Sequence, residues 1–272
     1  MAKFTKTLIA AGLMAAAATP AFAADYSGDI HKNDFKWFQF NVMHTIDQMP
    51  YTDGQGYNDT YFEMEFGGRS GIFDLYGYVD VFDIFQSSHD DKHGKDNMFI
   101  KFAPRISIDG MTGKDLSFGP VQELYIANLI NVGGQDGMFE AMTGLGADVM
   151  VPWFGKMGMN LYARHVNEGD GVQGWNGYQF SINWFKPFYT FSNGSFVAYQ
   201  GYLDHLFDAK DSSTDGTAMF NGIYWHNDRF AVGYGLKYFN DVYGIQNGLE
   251  VAPNVHLKTT GFGHYFDVTY KF

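Results

Sequence analysis

The sequence predicts an all-β fold, a transmembrane antiparallel up-and-down β-barrel of twelve strands. Three observations lead there. The segment from 262 onward alternates strictly, with Phe262, His264, Phe266, Val268, Tyr270 and Phe272 on one face and Gly263, Tyr265, Asp267, Thr269 and Lys271 on the other. Aromatic residues make up 18% of the chain and glycines number 33, yet mean hydropathy is only −0.22. Outward apolar and inward polar positions cancel in that way in a membrane barrel, while aromatic girdles raise the ring count. Past residue 23 no uncharged apolar run is long enough for a transmembrane helix, so a membrane crossing falls to strands.

Before the strands, Lys3 and Lys6 precede an apolar run from Thr7 to Ala18 and the small-residue site Ala21-Phe22-Ala23. Positive start, short apolar core and cleavage site in that order predict a signal peptide over 1–23, leaving 24–272 as the barrel domain. The formal charge of −12 becomes more negative once the two lysines are removed, which argues against a nucleic-acid polymer as partner. With no cysteine in the chain, disulfides and thiolate chemistry are excluded.

The same period places the remaining strands. Phe38, Phe40 and Val42 oppose Gln39 and Asn41; Thr60, Phe62, Met64 and Phe66 oppose Tyr61, Glu63 and Glu65. Phe73, Leu75, Gly77, Val79 and Val81 oppose Asp74, Tyr76, Tyr78 and Asp80, and Ile100, Phe102, Pro104, Ile106 and Ile108 oppose Lys101, Arg105, Ser107 and Asp109. Strands are expected near 35–46, 57–67, 71–84, 97–109, 115–129, 139–151, 156–167, 176–187, 195–207, 217–226, 229–240 and 258–272. Short links at 67–71, 152–155 and 226–228 alternate with longer polar ones at 49–56, 87–96, 167–174, 208–216 and 241–253. Bacterial barrels have that pattern of short periplasmic turns and long extracellular loops. An even strand number puts both termini on the periplasmic side. Pro104 and Pro120 sit inside expected strands, where distortion should follow because proline cannot donate to the ladder.

Four stretches, NDTYFEMEFGGRSGIFDLYGYVDVFDI (58–84), KFAPRISIDGMTGKDLSFGPVQELYIANL (101–129), NWFKPFYTFSNGSFVAYQGYLD (183–204) and AMFNGIYWHNDRFAVGYGLKYFNDVYGI (218–245), closely resemble the OmpK group of vibrio outer-membrane proteins. Within them NDTY, FDLYGYVD and DLSFGP are similar to the wider Tsx family of nucleoside-specific channels. The resemblance implies a twelve-stranded barrel in the cell outer membrane that passes nucleosides, without cofactor, and the OmpK branch implies a surface receptor for a bacteriophage. It supplies no nucleoside site residue by residue.

Alternation alone gives a lumen face of acids Glu63, Glu65, Asp74, Asp80 and Glu123, bases Lys101, Arg105, Arg164 and Lys237, and rings Tyr61, Tyr76, Tyr78, Tyr125 and Tyr162. From that face Glu63, Glu65, Asp74, Tyr76, Tyr78, Asp80, Lys101, Arg105, Glu123, Tyr125 and Arg164 are the expected pore-lining and solute-contacting residues. Twelve strands enclose a narrow pore. Its rings suit the flat face of a nucleobase, and its polar groups suit base edges and sugar hydroxyls. A second reading has these charges pair across the lumen and brace the barrel. Tyr234, Tyr238 and Tyr270 fall on the outward face and suit the headgroup belt.

Elsewhere His89 and His93, four apart with Asp90 and Asp91 between, have a metal-ligand spacing that works only on a helix; in a Gly- and Asp-rich loop they read as solvated surface, with cation bridging to lipopolysaccharide the lesser alternative. The 208–216 stretch lacks the calcium-loop pattern. No nucleophile elbow, zinc-protease helix, Walker loop or dinucleotide turn is present, so no catalytic or metal residue is assigned. Three classes remain open: a selective channel, a receptor or structural barrel with an occluded lumen, and a membrane enzyme built from distant residues.

Overall fold

The computed structural model describes residues 24–52, 57–86, 97–133, 139–167, 173–210 and 213–272. The expected signal peptide at 1–23 and the loop with His89 and His93 lie outside the described residues, as do positions 211 and 212 of the 208–216 stretch.

Among the described residues twelve antiparallel strands close into a barrel. They are β1 (Phe35–Ile46), β2 (Asn58–Ser70), β3 (Phe73–Val81), β4 in two pieces (Met98–Phe102 and Arg105–Ser107), β5 (Val121–Gly133) and β6 (Phe139–Val151). Then come β7 (Gly155–Asn167), β8 (Gln173–Thr190), β9 (Phe196–Phe207), β10 (Gly216–His226), β11 (Phe230–Asn240) and β12 (Gly261–Lys271). Each strand pairs with its sequence neighbours, and β12 closes the circle on β1 with Val268 opposite Val42. Closure leaves the sheet no free edge, the condition for strands to cross a bilayer.

The pleat sorts the two faces. On β1, Asn41 is 2% exposed and the adjacent Val42 43%. Outside, an aliphatic zone including Ile100, Leu145, Leu161, Ile223, Val232 and Val268 lies exposed between two sets of rings. Phe139, Trp175, Tyr178 and Phe262 sit at the strand ends of one rim; Phe73, Trp153, Tyr189, Phe230, Tyr270 and Phe272 sit at the other. In water so large an apolar surface would be a liability, whereas in a bilayer it is the matching solvent, with rings at the headgroups.

β1 begins and β12 ends at one rim, where the Phe272 N–H donates to the Phe38 carbonyl at 3.2 Å. That rim also carries the turns at 71–72, 152–154, 191–195 and 227–229, and it is therefore the periplasmic one.

Both prolines have defined outcomes. Pro104 splits β4, but the register does not slip, since Phe102 faces Ile130 and Arg105 faces Ala127 across the gap. The Pro104 carbonyl still accepts the Asn128 N–H at 3.0 Å, and Ala103 N–H donates to Tyr76 at 2.8 Å, so only the donor that proline lacks is lost. Pro120 lies outside the sheet, because the strand expected at 115–129 runs instead from Val121 to Gly133. Its place is taken by a short helix, α1 (Ile108–Thr112), and a turn held by the Asp109 carboxylate, which accepts the N–H groups of Leu116 at 2.7 Å and Leu124 at 3.1 Å. A local side-chain acceptor there outcompetes the ladder.

At the outer rim two loops fold over the opening. Met49 and Tyr51 from the β1–β2 connection and Val242 from the β11–β12 connection bury themselves against Phe239 and Tyr265. A small sheet of Tyr51–Thr52, Val255–Lys258 and Glu250–Ala252 ties the loops together. At the periplasmic rim residues 24–34 lie as a strap. Tyr26 donates to Glu123 at 2.5 Å, Asp34 accepts the Gly71 N–H at 2.7 Å, Asn33 donates to the Asp25 carbonyl at 2.9 Å, and Lys32 pairs with Asp25.

Candidate functional site

The barrel encloses a cavity of about 1350 Å³ that runs from the strap to the loop cap. Of the residues expected to face the lumen, Glu63, Glu65, Asp74, Tyr76, Tyr78, Asp80, Lys101, Arg105, Glu123 and Arg164 line it. Tyr125 does not; it points inward but is wholly buried beneath two arginines.

Three polar zones divide the wall. Toward the periplasm is an ionic lattice. Arg69 donates to Glu123 at 3.0 Å and to the Tyr125 hydroxyl at 2.5 Å; Arg105 meets Asp74 and Asp148, each at 3.0 Å; Lys156 reaches Asp148 at 3.1 Å. The Arg105 guanidinium lies 4.0 Å from the centroid of the Tyr125 ring, a cation–π contact worth about 0.5–2 kcal/mol. Six strands, β2 to β7, meet in this lattice, so in this zone the bracing reading describes what the side chains do.

Across β2, β3 and β12 lies an acidic zone of Glu63, Glu65, Asp80 and Asp267, which makes no ion pair among the described residues. Its acids are held by neutral donors: Asn41 to Glu63 at 2.5 Å, Gln39 to Glu65 at 2.5 Å and Tyr76 to Glu65 at 2.8 Å.

The third zone is aromatic and basic. Lys101 lies 5.7 Å from the Tyr78 ring and 5.8 Å from the Tyr202 ring, and pairs with Asp204 at 3.6 Å. Lys237 lies among Tyr202, Tyr265 and Phe239 at 5.7, 5.6 and 5.0 Å. Tyr202 stacks on Phe220 with 13° between planes. Nearer the outer ends of β6 and β7, Glu140 pairs with Arg164 and accepts from Asn131 at 2.6 Å. Together the zones offer flat rings beside fixed donors and acceptors, a wall on which an uncharged planar solute can stack and exchange hydrogen bonds in steps.

Alternation also carries signals for residues it did not single out. Arg69 continues the inward parity of Glu63 and Glu65 once β2 is extended to Ser70, and Tyr202 and Asp204 share parity on β9. Tyr26 and Tyr243 have no strand period to betray them, since the first lies in the strap and the second in a loop.

Outside the strands, the Asp34 carboxyl is held below the usual range chiefly by the Gly71 N–H, and Asp25 by Lys32. Burial, then Glu123, pushes the Tyr26 hydroxyl up. Of these, the Asp34 contact with Gly71 ties strap to barrel and favours the docked strap near neutrality.

The family model for the nucleoside-specific channel-forming protein Tsx matches residues 32–272. Outer membrane protein OmpK of Vibrio parahaemolyticus is 58% identical over 275 residues, covering 98% of this chain and 99% of the relative. The nucleoside-specific channel-forming protein Tsx of Escherichia coli O157:H7 is 29% identical, covering 98% and 99%. Among solved structures the NanC porin aligns with 86% of this chain and all of its own at a TM-score of 0.48 and 10% identity.

Proposed function

Because this chain belongs to the Tsx family of nucleoside-specific channel-forming proteins, outer-membrane barrels rather than enzymes, we propose that it passes nucleosides and similar small solutes passively across the outer membrane. The observation that supports this most is the third zone, where Tyr78, Tyr202 and Tyr265 border the cavity beside Lys101 and Lys237. A base has faces for the rings and edges for the polar groups. The sugar has hydroxyls for the unpaired acids Glu63, Glu65 and Asp80, which would repel a phosphorylated solute. Ten of the eleven residues expected from alternation are proposed as the pathway wall, with Tyr125 beneath it, Arg69, Arg105, Glu123 and Tyr125 bracing it and Tyr76, Tyr78 and Lys101 meeting solute.

The test is single-channel conductance of the refolded 24–272 chain in a planar bilayer, titrated with adenosine and thymidine and, as controls, with glucose and glycine. Saturable block by the nucleosides alone is expected, weakened in Tyr76→Ala with heat-resistant gel migration retained. Conductance indifferent to all four solutes overturns the reading.

A second reading rests on the two ends of the cavity, the cap of Met49, Tyr51 and Val242 and the strap at 24–34, which both narrow it. In that reading the barrel is an occluded receptor. The resemblance of the sequence to the OmpK group implies loops that serve a bacteriophage, and the 87–96 and 208–216 stretches are the proposed candidates. Lipid and lipopolysaccharide are the proposed surroundings of the outward face, and 1–23 the proposed export signal. Loss of phage adsorption on deleting either loop from a non-conducting barrel is the outcome that separates this reading from the first.

A further inference from the structure

The β11–β12 connection contains an unusual piece of backbone. Asp241 at φ 43°, Tyr243 at φ 62° and Gly244 at φ 74° all lie in the left-handed region. A glycine there is ordinary; a tyrosine is not, because its Cβ crowds the following carbonyl. The turn is nonetheless firmly built. Val242 is buried and its N–H donates to the Thr259 carbonyl at 3.2 Å. Gly244 N–H donates to Asp241 at 3.0 Å, and the Gly244 carbonyl accepts from Thr214 at 2.9 Å. Asp241 accepts from the Asn247 N–H at 2.8 Å and donates its own N–H to the Thr260 hydroxyl at 3.0 Å.

These bonds hold a strained residue whose side chain does nothing for the packing. Tyr243 is 60% exposed, and among the described residues no hydrogen bond or ring contact of its side chain is found. Yet it lines the same cavity as Tyr78, Lys101, Tyr202 and Lys237, within electrostatic reach of Tyr78, Lys101 and Lys237. Strain retained by an over-determined turn, for an exposed ring bordering the cavity that holds the aromatic and basic zone, calls for a ligand rather than a packing role.

We propose that Tyr243 is an outer capture site of the pathway, stacking on the heterocyclic base of a nucleoside before the base reaches Tyr202 between Lys101 and Lys237. This rests on the nucleoside-channel reading. A loop tyrosine has two advantages there. Its ring meets solute first, and its fixed backbone removes the ordering cost that a mobile loop would add on binding. Stacking is tolerant of base identity, so this site sorts planar heterocycles from sugars and amino acids while the groups below refine the choice.

Tyr243→Gly removes the ring and suits the left-handed backbone; Tyr243→Phe keeps the ring and loses the hydroxyl. Each is refolded as the 24–272 chain and its current titrated with adenosine from the outer side, beside wild type and Tyr202→Ala. The half-blocking concentration is expected to rise roughly tenfold in Tyr243→Gly, the low range for loss of one stacking ring, and to stay near wild type in Tyr243→Phe, with open conductance equal to or above wild type in both. Wild-type block in Tyr243→Gly, with block lost in Tyr202→Ala, overturns the capture site and leaves the channel reading standing. Equal losses in the Gly and Phe variants overturn stacking, since the hydroxyl would then be the binding group. Absence of adenosine block in wild type itself overturns both readings together.

Discussion

Arg105 shows how one lumen residue can be read two ways from sequence and one way from structure. Its inward parity is evident beside Lys101, but its partners Asp74, Asp148 and Tyr125 come from β3, β6 and β5. Arg105→Ala is expected to lower stability by about 3 kcal/mol, the cost of leaving buried acids without their base, measured as a shift in the urea midpoint of unfolding from lipid vesicles. Tyr78 has a different position, with its ring on the cavity and Lys101 beside it. Tyr78→Ala is expected to change solute block several-fold with little effect on the urea midpoint, since no ion pair depends on it.

Among the elements, the strap and β8 have consequences that can be measured. Residues 24–34 line the inner end of the cavity and are tied down by Tyr26 to Glu123 and by Asp34 to Gly71. Removing them is expected to raise single-channel conductance while the barrel still folds, since no barrel strand includes them. Because Asp34 is held below the usual carboxylate range chiefly by the Gly71 N–H, its contribution to docking is complete above that range and is lost as pH falls through the depressed value. Conductance measured in steps into strong acid should therefore approach that of the truncated chain. β8 carries a bulge between Trp175 and Tyr178, where Gly177 has φ 72° and a Cβ would lie 2.7 Å from the Phe207 carbonyl. Gly177→Val is expected to cost about 1–3 kcal/mol in backbone strain alone and to reduce the yield of heat-resistant folded barrel on gels.

For the molecule as a whole, the surrounding bilayer acts as the solvent that makes the fold reasonable. Val268 faces outward in the middle of β12, 53% exposed, with Asp267 and Thr269 buried on either side. Val268→Arg is expected to cost about 2–4 kcal/mol where the hydrocarbon is thickest, against almost nothing for Val268→Leu, by urea unfolding from vesicles. The contrast follows from strand alternation, the property that made the barrel legible in one dimension. A side-chain period of two needs no knowledge of partners, so twelve strands and their inner and outer faces could be read from the order of amino acids. Pro104 could be placed but not its consequence, because whether a missing donor breaks a ladder depends on the strands alongside. The start of β5 at Val121 was likewise hidden, since the Asp109 carboxylate that holds the preceding turn acts on Leu116 and on Leu124, the latter 15 positions away. The sequence by itself determined the solvent, the topology and the two faces of each strand, all of which depend on local pattern. Only the tertiary structure decided which inward charges brace one another, that a strap and a loop cap close in on the cavity, and that Tyr243 stands over it, because such pairings depend on distances between strands and loops far apart in the chain.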